Sequence, residues 1–186
     1  MYALLKRSGR GLAAVGAFAL LLSAVPATAS IETSEAKAEA SDAVAMARFH
    51  AEEVFGEKQP KAGQYLWRKG LFEGEPRLVV SINDQRAYLY RGEALVAVAA
   101  ISTGVDEHPT PKGIFTILAK EPMHRSLKYE NAPMPFMQQF DQYGTALHAG
   151  HNPGYPASHG CIRLPPEFAK RLYTVTDVGA TVMIGA

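Results

Sequence analysis

The stretch SHGCIR, residues 158–163, contains the only cysteine of this 186-residue chain, and His148 and His151 lie just upstream of it. A thiolate attacks carbonyl carbon well, but a thiol needs a neighbouring base or a lowered pKa to become one. Histidine is the usual partner, because imidazole titrates near neutral pH. Gly160 allows a tight turn that aims backbone amides at a developing oxyanion. The pattern predicts a nucleophilic site around Cys161.

Two other interpretations of Cys161 follow from residue type alone. A single cysteine is often a small buried apolar residue, although polar, turn-forming residues surround this one. His148, His151, His159 and Cys161 are also all zinc-ligand types, and four such ligands complete a tetrahedron. Their spacing does not match the usual paired-ligand patterns, and there is no second cysteine. The residues therefore favour a catalytic thiol over a buried thiol or a metal site.

Residues 1–29 have the pattern of an export signal. A basic start (Lys6, Arg7 and Arg10) precedes an apolar stretch over residues 11–25, which is short for a membrane span. Small residues then lead to a predicted cleavage after Ala29, with an uncleaved anchor as the alternative. An unpaired thiol is a liability in an oxidising compartment unless the protein uses it. The predicted location, periplasm or cell envelope, therefore also favours a catalytic cysteine.

Removal of residues 1–29 would leave 16 basic and 18 acidic residues, a net charge of about −2. This balance gives no indication of a nucleic-acid partner. The remaining 157 residues suit one domain with a full core. Residues 30–63 are predicted to be a helical arm and linker, with a helix from Asp42 to Phe55 that Ser41-Asp42 would cap. This arm would either pack on the domain or remain a partly mobile spacer.

Residues 64–186 are predicted to form a mainly β domain, barrel-like or sandwich-like. Predicted strands cover residues 78–82, 87–90, 95–102, 113–119, 145–149 and 181–184, the first two joined as a hairpin. A helix is predicted to begin at Pro165-Pro166, after the nucleophile. Residues 121–141 contain three prolines and are predicted to be a long loop. That loop would be either a flap over a substrate groove or an apolar cluster packed on the sheet.

From Arg77 to Ala186 the sequence resembles the L,D-transpeptidase (YkuD-like) catalytic domain. The resemblance rests on His148 with residues 158–163, on Ser102-Thr103-Gly104, on residues 110–115 (TPKGIF) and on Met134-Pro135-Phe136. It implies a mainly β, L,D-transpeptidase catalytic domain-like barrel or sandwich, with a helix after the nucleophile and an N-terminal helical arm. It also weakens the zinc interpretation and implies no cofactor.

The resemblance implies a peptidoglycan substrate. Members of the family cut the bond between a third-position diamino acid and the terminal D-alanine of a tetrapeptide stem. The acyl group then passes from the cysteine to an amine of another stem or of a wall-attached protein. Carbapenems acylate the same cysteine. Two alternatives stay open: a hydrolase on the same scaffold (an L,D-carboxypeptidase or an enzyme that releases wall-attached protein), and a non-catalytic wall-binding module.

The family motif implies roles for individual residues. Cys161 would be the nucleophile and His148 its base, with the backbone oxygen of Ala149 orienting the imidazole. Amides near Gly160 and Cys161 would hold the oxyanion. His159 belongs to the motif and would either fix the loop or touch substrate.

Further residues are expected at the substrate. Arg163 would pair with a carboxylate of the diamino acid, or else tie the loop to nearby backbone. Ser158 and Phe136 are candidate substrate-binding residues, and Ser158 also suits a local turn. His151 matches no position of the motif and is expected to be a loop residue.

Overall fold

The computed structural model describes residues 30–186, so the predicted signal segment lies outside the described residues. These residues form two sheets and two helices. The helices are α1 (Ser34–Phe55) and α2 (Pro166–Val175). The strands are β1 Ser30–Ile31, β2 Tyr65–Trp67, β3 Pro76–Ser81, β4 Arg86–Arg91, β5 Ala94–Ala100, β6 Gly113–Thr116, β7 Ala119–Arg125, β8 Pro133–Gln139, β9 Ala146–Ala149, β10 Ile162–Leu164 and β11 Thr181–Gly185. The predicted mainly β fold is confirmed.

The larger sheet has seven strands in the order β1-β6-β11-β3-β4-β5-β2. The predicted hairpin is present, because β3 pairs antiparallel with β4 and then β4 with β5. Side chains alternate between its two faces, as strand geometry requires. Leu78 and Val80 face a core shared with the second sheet and α2, whereas Val79 faces α1. The sheet is therefore buried on both sides.

Helix α1 is longer than the sequence predicted and begins at Ser34 rather than Asp42. Its N-cap is Thr33, whose hydroxyl accepts a hydrogen bond from the Ala36 amide at 3.2 Å. The buried stripe of α1 is mostly alanine (Ala36, Ala40, Val44, Ala47 and Ala51). Alanine gives little hydrophobic contrast, so the first two turns escaped prediction. The small stripe brings the helix close to the sheet: a β-carbon on Gly185 would lie 2.7 Å from the Ala40 carbonyl oxygen.

The predicted loop over residues 121–141 is wrong, because this region contains most of β7 and all of β8, which pair antiparallel. Prolines argued against strands, since proline cannot donate to a ladder. Strand β7 is at the edge of the four-stranded sheet, ordered β10-β9-β8-β7, where Pro122 is tolerated. Strand β8 pairs with β9 only through Gln138 and Gln139, so its proline-containing half also has a free side. Proline thus marks edges here rather than a loop.

The predicted single strand over residues 113–119 is also corrected. The chain leaves the larger sheet after Thr116 and enters the smaller sheet at Ala119. The predicted strands near β9 and β11 and the helix after Pro165 are present. Within residues 30–186, neither helix is long and apolar enough to cross a membrane.

Candidate active site

Strand register brings the predicted nucleophile and base to one face of the smaller sheet. Strands β9 and β10 are parallel, with Arg163 level with His148. Side chains two residues apart share a face, so Cys161 lies on the same side as Arg163 and His148. The intervening Ile162 and Leu147 point to the opposite side, into the shared core. One short parallel ladder therefore separates the predicted site residues from the core residues.

Cys161, His148 and Arg163 all line one cavity of about 500 Å³. The cavity also receives residues from the β7–β8 hairpin, among them Lys128 and Tyr129, and from the segments on either side of β9. Of the predicted site residues, Ser158 and His159 lie here too. His151 also lines the cavity and is exposed, although the motif gave it no role. A pocket this size can accept an extended peptide side chain and its neighbouring backbone.

The imidazole of His148 is almost completely buried and held in one orientation. Its Nδ1 lies 2.8 Å from the Ala149 carbonyl oxygen, as the family motif implied. A carbonyl can only accept, so Nδ1 carries the hydrogen and Nε2 of the neutral ring keeps its lone pair. Burial lowers the pKa of His148, the Ala149 bond partly opposes this, and the nearby Arg163 charge lowers it further. His148 is therefore a neutral, weak base.

Burial raises the pKa of the Cys161 thiol. A backbone hydrogen bond from Ala146 opposes that shift, Asp141 adds to it, and Arg163 and Lys128 lower the pKa by their positive charge. The thiol packs beside Met134, Met137 and Ala146, which accounts for the desolvation. The resting pair is thus a thiol and a neutral imidazole rather than an ion pair.

This resting state predicts a particular titration. Thiolate absorbance near 240 nm is expected to rise only above about pH 8.5, the usual pKa of a free cysteine, because burial disfavours the charged form. Since His148 is neutral at this pH, His148→Ala should leave the midpoint nearly in place. Thiolate present at pH 6–7 in the parent, and lost in His148→Ala, would contradict the neutral pair.

The turn before β10 is closed by Ser158. Its hydroxyl donates to the Cys161 carbonyl oxygen and accepts a hydrogen bond from the Gly160 amide at 3.2 Å. Gly160 has φ of 110°, a conformation that other residues rarely adopt. Ser158 therefore shapes the turn that carries Cys161, and its role toward substrate stays a prediction. Because the Gly160 amide already has an acceptor, the Cys161 amide becomes the better candidate donor to an oxyanion.

His159 lies on the exposed side of the same turn, between two aromatic rings. It stacks on Tyr129 with ring centroids 4.6 Å apart and an interplanar angle of 29°, and its ring centroid is 5.1 Å from that of His108. The contact links the turn before Cys161 to the β7–β8 hairpin. Lys128 and Tyr129 were not among the predicted site residues, because the sequence of the hairpin indicated a loop.

The structure separates the two remaining substrate-binding candidates. The stem of Arg163 lies along Gly150 at the cavity, and its backbone pairs with Ser102 at 2.9 and 3.0 Å. The backbone therefore ties the loop at this position. In contrast, Phe136 packs against the shared core, with its ring centroid 5.9 Å from that of Tyr173, and is not brought into the cavity.

Metal-binding clusters and ion pairs are the charged groups that bear on this site among residues 30–186. No group of three or more His, Cys, Asp or Glu side chains there is arranged to hold a metal ion. The ion pairs of this part of the chain are Arg48 with Asp84 and His124 with Glu121. Neither includes Arg163, so no carboxylate of the described residues neutralises it.

Comparison with known proteins agrees with this geometry. The family model described as the L,D-transpeptidase catalytic domain, YkuD, matches residues 75–184. Because the match covers more than half of the chain, this protein belongs to the L,D-transpeptidase (YkuD) family. A search of curated proteins gave no match.

Solved structures show the same fold. An L,D-transpeptidase from Stackebrandtia nassauensis has 26% identity and a TM-score of 0.56, covering 74% of this chain and 62% of its own. LdtMt1 in complex with imipenem has 21% identity and a TM-score of 0.54, and the match covers 59% of this chain and 58% of LdtMt1. L,D-transpeptidase 3 from Mycobacterium tuberculosis, in complex with a faropenem-derived adduct, has 21% identity and a TM-score of 0.55, and the match covers 60% of each chain. This chain thus spans about three fifths of the length of these relatives.

Proposed function

We propose that this chain is an exported peptidoglycan L,D-transpeptidase that works through a thioester on Cys161. The single observation that carries the proposal is the common face of Cys161, His148 and Arg163 in one cavity. It joins a nucleophile, a base with a free Nε2 lone pair and an unneutralised cation. Family membership supplies the reaction class.

In the proposed acylation, the Cys161 sulfur attacks the carbonyl carbon of the third-position diamino acid of a tetrapeptide stem. The thiol proton passes to Nε2 of His148 as the bond forms. The carbon–nitrogen bond to D-alanine then breaks, and His148 returns the proton to the departing amine. An acceptor amine next attacks the thioester, gives up a proton to His148 and restores the thiol. A neutral resting pair suits this cycle, because the base must accept and release a proton twice.

The electrostatics of the cavity support an anionic donor. Arg163 and Lys128 both line it and both act on the Cys161 thiol by their charge. A diamino acid with a free side-chain carboxylate would offset these charges, and arginine can bind such a group with two parallel hydrogen bonds. Acceptors would be the amine of a neighbouring stem or of a wall-attached protein, and the reaction would serve cell-wall synthesis and cell shape.

The products from purified tetrapeptide stems test the function. Mass spectrometry is expected to show released D-alanine and a cross-linked dimer. Trimmed monomer alone would replace the proposal by an L,D-carboxypeptidase on the same scaffold. Unchanged stems, from a folded protein with an accessible thiol, would favour a non-catalytic wall-binding module.

The proposed location and inhibitor have their own support. The location outside the cytoplasm rests on the signal pattern of residues 1–29. Imipenem is expected to acylate Cys161, since a related fold is known in complex with it. Attack on the lactam carbonyl opens the ring, so the whole inhibitor mass should appear on the protein.

Arg163→Lys tests the proposed carboxylate contact. Lysine keeps the charge but loses the planar pair of donors. Charge-assisted bonds of this kind contribute on the order of 1.5–3 kcal/mol, so kcat/KM for a donor with a free carboxylate should fall about 10- to 150-fold. A donor whose carboxylate is amidated should be a poor substrate for the parent, and its kcat/KM should be no lower with the variant. A variant that unfolds earlier and loses activity equally on both donors would show that Arg163 only braces the loop.

A further inference from the structure

The side chain of Thr110 lies beneath the nucleophile's turn, with only 3% of its surface exposed. Its hydroxyl oxygen accepts a hydrogen bond from the Gly104 amide at 2.9 Å. The same hydroxyl donates to the Gly160 carbonyl oxygen at 2.8 Å. Because a hydroxyl has one proton, that proton is committed to Gly160. Thr110 thus connects two separate segments at the residue before the nucleophile.

The Gly160 carbonyl and the Cys161 N–H belong to the same peptide unit. That unit is planar and trans, so its N–H points away from its carbonyl oxygen. Thr110 holds the oxygen on the buried side, which directs the Cys161 amide to the opposite side, where Cys161 lines the cavity. The orientation of this one carbonyl therefore fixes the orientation of the amide.

The peptide needs an external constraint because glycine precedes it. Gly160 has φ of 110°, and glycine crosses backbone regions that are closed to other residues. Ser158 restrains the preceding N–H and the following carbonyl, but neither atom belongs to the Gly160–Cys161 peptide. The hydrogen bond from Thr110 acts on that peptide directly.

We propose that Thr110 is a positioning residue that holds the Gly160–Cys161 peptide so that the Cys161 amide meets the oxyanion formed at the attacked carbonyl. The inference rests on the proposed function, because it requires acyl transfer to Cys161. Thr110 is not among the residues that line the cavity; it acts through the peptide.

Two reactions of the same thiol separate this role from general support of the fold. With imipenem, sulfur bonds to the lactam carbonyl carbon, the carbon–nitrogen bond opens, and the thiol proton ends on the lactam nitrogen by way of His148; an oxyanion forms during attack. With iodoacetamide, sulfur displaces iodide at a saturated carbon, the thiol proton goes to solvent, and no oxyanion forms. Loss of an oriented amide should slow only the first reaction.

Thr110→Val keeps the shape and removes the hydroxyl. Mass spectrometry is expected to show that imipenem acylates this variant about 10- to 100-fold more slowly than the parent. The loss should be smaller than that caused by complete removal of an oxyanion donor, because the Cys161 amide is still present. Alkylation by iodoacetamide should keep the parental rate, and Thr110→Ser should restore acylation. If Thr110→Val does not fold, Thr110→Ala removes the same hydroxyl without placing a methyl group against two polar atoms, and the same comparison applies.

Thr103→Val is the matched control. Thr103 is equally buried, and its hydroxyl oxygen accepts from Gln85 Nε2 at 2.7 Å. A Thr103→Val variant with the same selective loss of acylation would overturn the proposal, as would equal slowing of both reactions in folded Thr110→Val. A Thr110→Val variant acylated as fast as an active parent would also overturn it, while leaving the proposed function intact. A parent that iodoacetamide alkylates, but that neither imipenem nor a tetrapeptide stem acylates, would instead overturn the proposed function and this inference with it.

Discussion

Cys161→Ser is expected to lower turnover of a tetrapeptide stem by about 10³-fold or more. A hydroxyl is far less acidic than a thiol, so it depends more heavily on its base. His148 is a poor base for that task, because burial and the charge of Arg163 lower its pKa. The site thus suits a thiol and gives little help to a hydroxyl. Product formation is measured by mass spectrometry with the parent at equal concentration.

The substitution is nearly isosteric, so thermal unfolding of Cys161→Ser should resemble that of the parent. The same variant should show no stable mass increase with imipenem. Turnover close to the parental rate by the folded variant would refute the thiol mechanism. An imipenem adduct of parental yield on the variant would place the reactive group elsewhere.

His148→Ala should lower the rate of acylation about 10²- to 10⁴-fold, the usual contribution of a general base. The reason is geometric: the bond to Ala149 leaves Nε2 as the nitrogen that can accept the thiol proton. Single-turnover acylation by imipenem measures the step directly. The loss should shrink at alkaline pH, where the thiol ionises without help.

His151→Ala is the matched control, because His151 lines the same cavity but is exposed and lies on the loop after β9. Its effect on acylation should be small. Equal losses in the two variants would contradict the assignment of His148 as the base. Stoichiometric zinc in protein purified without added metal, and lost in either variant, would restore the metal interpretation.

The proposed nucleophile and its turn could be predicted from sequence because they depend on local chemistry. A lone Cys161 after a glycine, with His148 upstream, is a short-range pattern, and strand alternation then predicts which neighbours share its face. The β3–β4 hairpin was predictable for the same reason. These features depend on residues that are close in the chain.

Features that depend on distant pairing could not be predicted in this way. Pro122 and Pro135 are acceptable in strands only because those strands have a free side, and sheet order is not visible in a local pattern. Because these two strands were not predicted, the hairpin that carries Lys128 and Tyr129 into the cavity was not predicted either. Phe136 was predicted to bind substrate, and local sequence gave no sign that its ring packs toward Tyr173 of α2 rather than toward Cys161.

The close contact of α1 with the larger sheet has a practical consequence for where this chain can be shortened. The stretch shared with the family begins at residue 75, yet Val79, Tyr88, Val98 and Met183 are covered by α1. A chain shortened to the shared stretch would expose this apolar face to water and invite aggregation. The unit that folds therefore begins earlier in the chain, at α1, than the stretch that sequence comparison assigns to the family.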